Sequence, residues 1–225
     1  MTPVPRTPFM AAALTFSVCL ANASAVSAAP LSPTRASMGA AHASTSAEPG
    51  LLQRSQTLVT PKQATINKIK TLLTTFFTDQ QLSKTLDAMA ENIYANKPFK
   101  ESFDTLTASA DLTGSQMAIM VKVRSGLQKD LGSASGVPLT KVRAVLLRRL
   151  EPYYNDMSKT ILAMRSSRRT KAECANQVYV MVNKYLTKAN VDPVLADIKS
   201  SLTSKEWQSV RAHGAALFLW SRYGL

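Results

Sequence analysis

From Pro61 to the C-terminus, apolar residues recur at steps of three and four, the period of one face of an α-helix. Ile66, Ile69, Leu73 and Phe76 mark a first helix, and Leu82, Leu86, Met89 and Ile93 a second. Pro98 interrupts, and Phe99, Phe103 and Leu106 predict a short third helix. Met120, Val123, Leu127 and Leu131 form the stripe of the next, which Gly132 to Gly136 then breaks. The longest series is Val142, Leu146, Leu150, Tyr153, Met157, Ile161 and Met164. Pro152 falls inside it. The stripe keeps its phase through the proline, which favours one kinked helix, although Pro152 also suits the first turn of a new one.

Polar residues punctuate the same segments. Thr78-x-x-Gln81, Thr113-x-x-Gln116, Thr170-x-x-Glu173 and Thr203-x-x-Glu206 are capping boxes, in which a threonine and an acid or amide three residues on satisfy each other's backbone N–H groups. The third opens a helix expected to run to about Lys188. Asp192-Pro193 has the form of an N-cap followed by a first-turn proline, introducing a short helix through Ile198. In the last helix Trp207, Val210, Gly214, Leu217 and Phe218 make the inner stripe. No window alternates with period two. The fold class is all-α, an irregular bundle of six to eight helices over residues 61–225.

The first sixty residues carry no such pattern. Arg6, an apolar run from Phe9 to Ala21, and small residues to Ala29 have the three parts of a secretory signal, with cleavage after Ala23, Ala25 or Ala28. A run of about 13 apolar residues is short of the roughly 20 that span a bilayer. Val18 directly precedes Cys19, where lipoprotein processing needs a small residue, so Cys19 belongs to the discarded segment. A signal peptide over 1–28 and a disordered Ala/Ser/Thr/Pro spacer over 29–60 precede the domain, and His42 in that spacer is incidental. The compartment expected is the periplasm of a Gram-negative bacterium or the space outside the cell. Cys174 is then the mature chain's single cysteine, so no disulfide forms within it. Its alignment with Val178, Met181, Val182 and Tyr185 predicts a buried, inert thiol.

Charge changes the picture more than composition does. The net formal charge is +13, and residues 122–171 hold twelve Lys and Arg against three Asp and Glu. Arg165, Arg168 and Arg169 share a helix face and Lys171 follows; Lys141, Arg148 and Arg149 lie away from the apolar stripe. These seven cations are the candidate site for an anionic ligand: envelope polymer, lipid headgroups or an acidic protein. Nucleic acid is disfavoured by export and by the lack of aromatic residues among the arginines.

Catalytic chemistry is thinly represented. His213, the lone histidine of the domain, has no Cys pair or His-Glu-x-x-His to complete a metal site, so no metal or cofactor is expected. Glu91, Glu101, Glu151, Asp156, Glu173 and Glu206 are scattered over different helices; a pair of them brought within about 5–10 Å would suit a glycoside hydrolase. A cell-envelope hydrolase is therefore the alternative to a binding module. Ala215 to Trp220 is apolar all round and suits a closing core helix, with Trp220 and Tyr223 as the candidates if that helix instead holds a partner.

The run Ser201-Leu202-Thr203-Ser204-Lys205-Glu206-Trp207, followed by Ser221-Arg222-Tyr223-Gly224, resembles the C-terminal pattern of an exported all-helical bacterial domain family of unknown function. The resemblance covers about 25 residues, departs from the pattern at Phe218-Leu219-Trp220-Ser221, and implies no activity.

Overall fold

A computed structural model describes residues 59–108 and 111–225; the expected signal peptide and nearly all of the expected spacer lie outside the described residues. Among the described residues eight α-helices follow one another: α1 (Pro61–Leu72), α2 (Asp79–Tyr94), α3 (Phe99–Ala108), α4 (Gly114–Leu131), α5 (Val137–Ser166), α6 (Lys171–Tyr185), α7 (Lys188–Ser201) and α8 (Ser204–His213). Short 3-10 turns join α4 to α5 and close the C-terminus, and no strand occurs among the described residues. The chain is all-α, as its periodicity requires. None of these helices is long and apolar enough to cross a membrane.

All four capping boxes form with both of their hydrogen bonds. Thr60 caps α1 as well, its hydroxyl accepting from Gln63 N at 3.2 Å. Such caps each contribute about 1 kcal/mol and fix where the chain turns into the bundle.

The bundle is built around α5 and α6. Helix α6 packs on α1, α2 and α5, while α5 also meets α2, α3 and α7; α4 packs against α8. The inward stripes are those of the sequence, with Leu73, Met89, Val142, Met157 and Val178 removed from solvent. Cys174 is buried, and burial is the first cause that raises its thiol pKa, as an inert core cysteine requires. Two buried polar ties cross the core. Thr65 Oγ1 donates to the carbonyl of Tyr179 at 2.9 Å, joining α1 to α6. Gln116 Nε2 donates to Phe76 O at 2.6 Å, joining α4 to the turn after α1.

Three local expectations are corrected. Helix α5 is continuous through Pro152, but its buried stripe runs Leu150, Tyr154, Met157; Tyr153 is half-buried at the rim. A four-residue step places Tyr154 inside, where its ring meets Phe99 and its hydroxyl donates to Lys97 O. Helix α6 stops at Tyr185, and α7 already begins at Lys188, so Pro193 lies within α7 rather than at its start. Asn190 holds that earlier start, its amide donating to Tyr185 O at 2.7 Å. Last, the apolar run after His213 forms short 3-10 turns and not a closing α-helix. The chain leaves α8 at Gly214 and turns back, Leu219 N donating to Leu73 O at 2.8 Å and Tyr223 Oη to Leu72 O at 2.9 Å.

Candidate functional site

The seven cations singled out in the sequence occupy two places, one on the first half of α5 and one at the corner where α5 meets α6. Lys141, Arg148 and Arg149 face α7 and α8; Arg165, Arg168, Arg169 and Lys171 surround the corner between α5 and α6. Arg149 and Arg165 are 16 residues apart, roughly 24 Å along the helix at 1.5 Å per residue, so the two groups do not form one patch.

Most of these charges are already answered. Lys141 Nζ grips both carboxylate oxygens of Glu206 at 2.8 and 3.0 Å, and Glu206 in turn accepts from Thr203 N. The Lys141 ammonium, then the Thr203 N–H, hold the Glu206 carboxyl below its ordinary pKa. Arg148 and Arg149 converge on one oxygen of Asp197 at 2.9 and 2.6 Å, lowering its pKa too, with Arg149 the larger cause. At the corner, Arg165 donates to Tyr94 O at 2.7 Å and lies over the Tyr94 ring at 4.8 Å. Lys171 pairs with Glu91 at 2.5 Å beside the same ring, and Arg169 pairs with Glu173 at 3.1 Å. The Arg165 and Lys171 contacts fasten α5 and α6 to the C-terminal end of α2, where cations also meet a favourable helix dipole. Arg168 alone of the seven makes no side-chain hydrogen bond or ion pair with a described residue. It sits at φ 59°, in the left-handed turn that ends α5.

Further cations without an ion pair lie on α4 and α8. Helices α4 and α8 run antiparallel: Gly126 faces His213, and Asp130 reaches back to Ser209. Asp130 Oδ2 accepts from Ser209 Oγ at 2.8 Å and lies 2.8 Å from His213 Nε2. These bonds, Ser209 first and His213 second, lower the Asp130 pKa. The serine and histidine both address the carboxylate and not each other, so the trio is a helix–helix clamp and lacks the serine-to-histidine contact of a nucleophilic triad. Gly126 gives the clamp its room, since a Cβ there would stand 2.2 Å from His213 Nδ1.

Beside the clamp runs a row of lysines. At 3.6 residues per turn, Lys122 and Lys129 lie within about 60° of the Gly126–Asp130 stripe, and Lys205 about 40° from Ser209. Antiparallel packing puts all three on the same, solvent side of the α4–α8 seam, and each is exposed. None pairs with a described carboxylate. The two acids of these helices, Asp130 and Glu206, are held by the clamp and by Lys141. Sequence inspection missed this rim because its lysines are spread over 84 positions; the signal available was the near absence of acids from α4, whose single carboxylate is Asp130.

The candidate carboxylates also separate. Glu91, Glu173 and Glu206 are in the ion pairs above, and Glu101 pairs with Lys97 at 3.4 Å. Glu151 and Asp156 border one groove. No cluster of three or more metal-ligating side chains occurs among the described residues. Of the C-terminal aromatics, Trp220 is 5% exposed, edge-on to Trp207 at 5.5 Å and against Phe218, so its ring belongs to the core. Tyr223 stacks on Phe218 and is half-buried.

Residues 36–214 match the family described as uncharacterized protein B0228.1-like. The chain belongs to this family. The match takes in all eight helices and the Ser201–Trp207 run but stops before Ser221–Gly224, on which the C-terminal resemblance also leaned. No curated protein and no solved structure matches the chain.

Proposed function

We propose that this protein is an exported helical binding module that recognises an anionic envelope component, or an acidic protein, through the lysine rim of α4 and α8. The observation that carries the proposal is the distribution of unpaired charge. Lys122, Lys129 and Lys205 line one seam, none of them in an ion pair with a described carboxylate, while the cations of α5 and α6 are largely spent on holding helices together. An ammonium that pairs with nothing in its own fold loses no intramolecular partner when a ligand arrives, so its full attraction counts toward binding. Arg168 and the exposed edges of the other arginines add to the long-range field that draws an anion in. Export is supported by the signal-like segment before the domain.

The test is retention on immobilised inorganic polyphosphate. Retention should fall steeply with salt, because exposed charges are screened over about 8 Å at physiological ionic strength. Lys122→Glu, Lys129→Glu and Lys205→Glu together should abolish it; undiminished retention would sink the proposal.

A cell-envelope hydrolase is the second reading, favoured by the one groove that Glu151 and Asp156 share. Clearing of a peptidoglycan zymogram that vanishes in Glu151→Gln, with folding intact, would support it; no clearing by the wild type rules it out.

A further inference from the structure

Where Pro152 passes through α5, the helix borders a groove of about 590 Å³, within the range of small-ligand sites. Glu151, Pro152, Tyr153, Asn155, Asp156 and Lys159 line it from α5, and Tyr185 closes it from the end of α6. The Tyr153 and Tyr185 rings stand 5.7 Å apart and tilted by 46°, an angled aromatic wall. Tyr185 donates its hydroxyl to Asp156 Oδ2, which fixes that carboxylate and leaves Oδ1 without a partner among the described residues. The side chains of Glu151, Asn155 and Lys159 likewise make no hydrogen bond or ion pair with a described residue.

We infer that this groove binds a neutral saccharide. Sugar rings present a C–H face, which packs on an aromatic wall, and an edge of hydroxyls, each needing both donors and acceptors. The groove supplies both at fixed helical positions: carboxylate acceptors at Glu151 and Asp156, an amide at Asn155 and an ammonium at Lys159. Other ligand classes fit less well. An anion would meet two carboxylates against one ammonium, and a cation held by those carboxylates would leave the Lys159 ammonium and the Asn155 amide without a partner. A wholly apolar ligand would strand four polar side chains, at a desolvation cost for each. The lining holds too few ligating groups for a metal ion. Binding here requires neither the lysine rim nor any bond cleavage.

Saturation-transfer NMR and calorimetry on the full chain, with the N-acetylglucosamine trimer, cellotriose and mannotriose as probes, test the inference. At least one probe should bind, with transfer to its ring protons. Tyr153→Ala and Asp156→Asn should each weaken it about tenfold, and Glu151→Gln, on an exposed side chain that leaves the fold untouched, about threefold. The lysine-rim triple variant should bind the probe as the wild type does. No binding of any probe, or binding indifferent to all three groove variants, overturns the inference; so does displacement of the probe by an arginine-rich peptide, which would mark the groove as a cation site.

Discussion

Gly126→Ala should destabilise this protein although alanine is the better helix former. In the interior of an exposed helix the change is worth about 1 kcal/mol in alanine's favour. Here the added methyl would sit 2.2 to 2.5 Å from Nδ1, Cε1 and Cγ of His213, so the whole ring must move and not merely its tip. Crowding of that kind costs about 1–3 kcal/mol. Displacing the ring also breaks the 2.8 Å contact with Asp130, worth about 1 kcal/mol more at a half-exposed site. The net expectation is a loss of about 1–3 kcal/mol. Once His213 is removed, the sign should reverse: Gly126→Ala in a His213→Ala background should stabilise by about 1 kcal/mol, since only the helix term remains. The coupling across the cycle is then about 2–4 kcal/mol, well above the few tenths expected of independent sites. Urea unfolding of the four proteins, with equal slopes, measures it. A coupling below about 0.5 kcal/mol would refute the close packing of α4 on α8 that the lysine rim depends on.

Three further outcomes follow from the same geometry. Trp220→Ala should cost about 3–5 kcal/mol, seen as a fall in Tm, because the ring fills the core between Trp207 and Phe218; a loss below 1 kcal/mol would mean the C-terminal turn is not packed as described. Thr203→Ala should cost about 1 kcal/mol by denaturant midpoint, since it removes one half of the α8 capping box. Asp79, Asp130, Glu173, Asp197 and Glu206 all have lowered pKa values in the fold. Their contribution is complete above the ordinary carboxylate range near pH 4 and is lost as pH falls through the lower folded values. Tm should therefore hold from neutral pH to about 5 and drop below about 4, and Lys141→Met should shrink that drop by relieving the largest cause at Glu206.

How much of this was legible in the sequence follows from the range of each interaction. Capping boxes join residues three apart, and helical stripes join residues three or four apart, so both were readable and both formed. The boundaries that failed depended on tertiary packing. Tyr154 replaces Tyr153 inside because Phe99 and the Lys97 carbonyl wait there, and the chain turns back at Gly214 because Leu73 and Leu72 offer carbonyls to it. Charge pairing was the least legible of all. Arg149 finds Asp197 across 48 positions, Lys141 finds Glu206 across 65 and His213 finds Asp130 across 83. A count of cations along the chain marks residues 122–171 as basic, but only the fold says which of those cations are spent. Glu151 and Asp156 illustrate the converse: six scattered carboxylates gave no pair by inspection, and helical geometry around Pro152 brings two of them to one groove.

The proposed function places anion recognition on the lysines of α4 and α8 and not on the arginines at the α5–α6 corner, where Arg165 and Arg169 are paired. The most direct measurement is the dissociation constant for inorganic polyphosphate, taken across a salt series, of the wild type and two charge-reversal variants. Lys122→Glu/Lys129→Glu/Lys205→Glu should weaken binding at least tenfold and flatten its salt dependence, whereas Arg165→Glu/Arg168→Glu/Arg169→Glu should weaken it by no more than about threefold. Wild-type affinity in the lysine variant, or a larger loss in the arginine variant, would contradict the account.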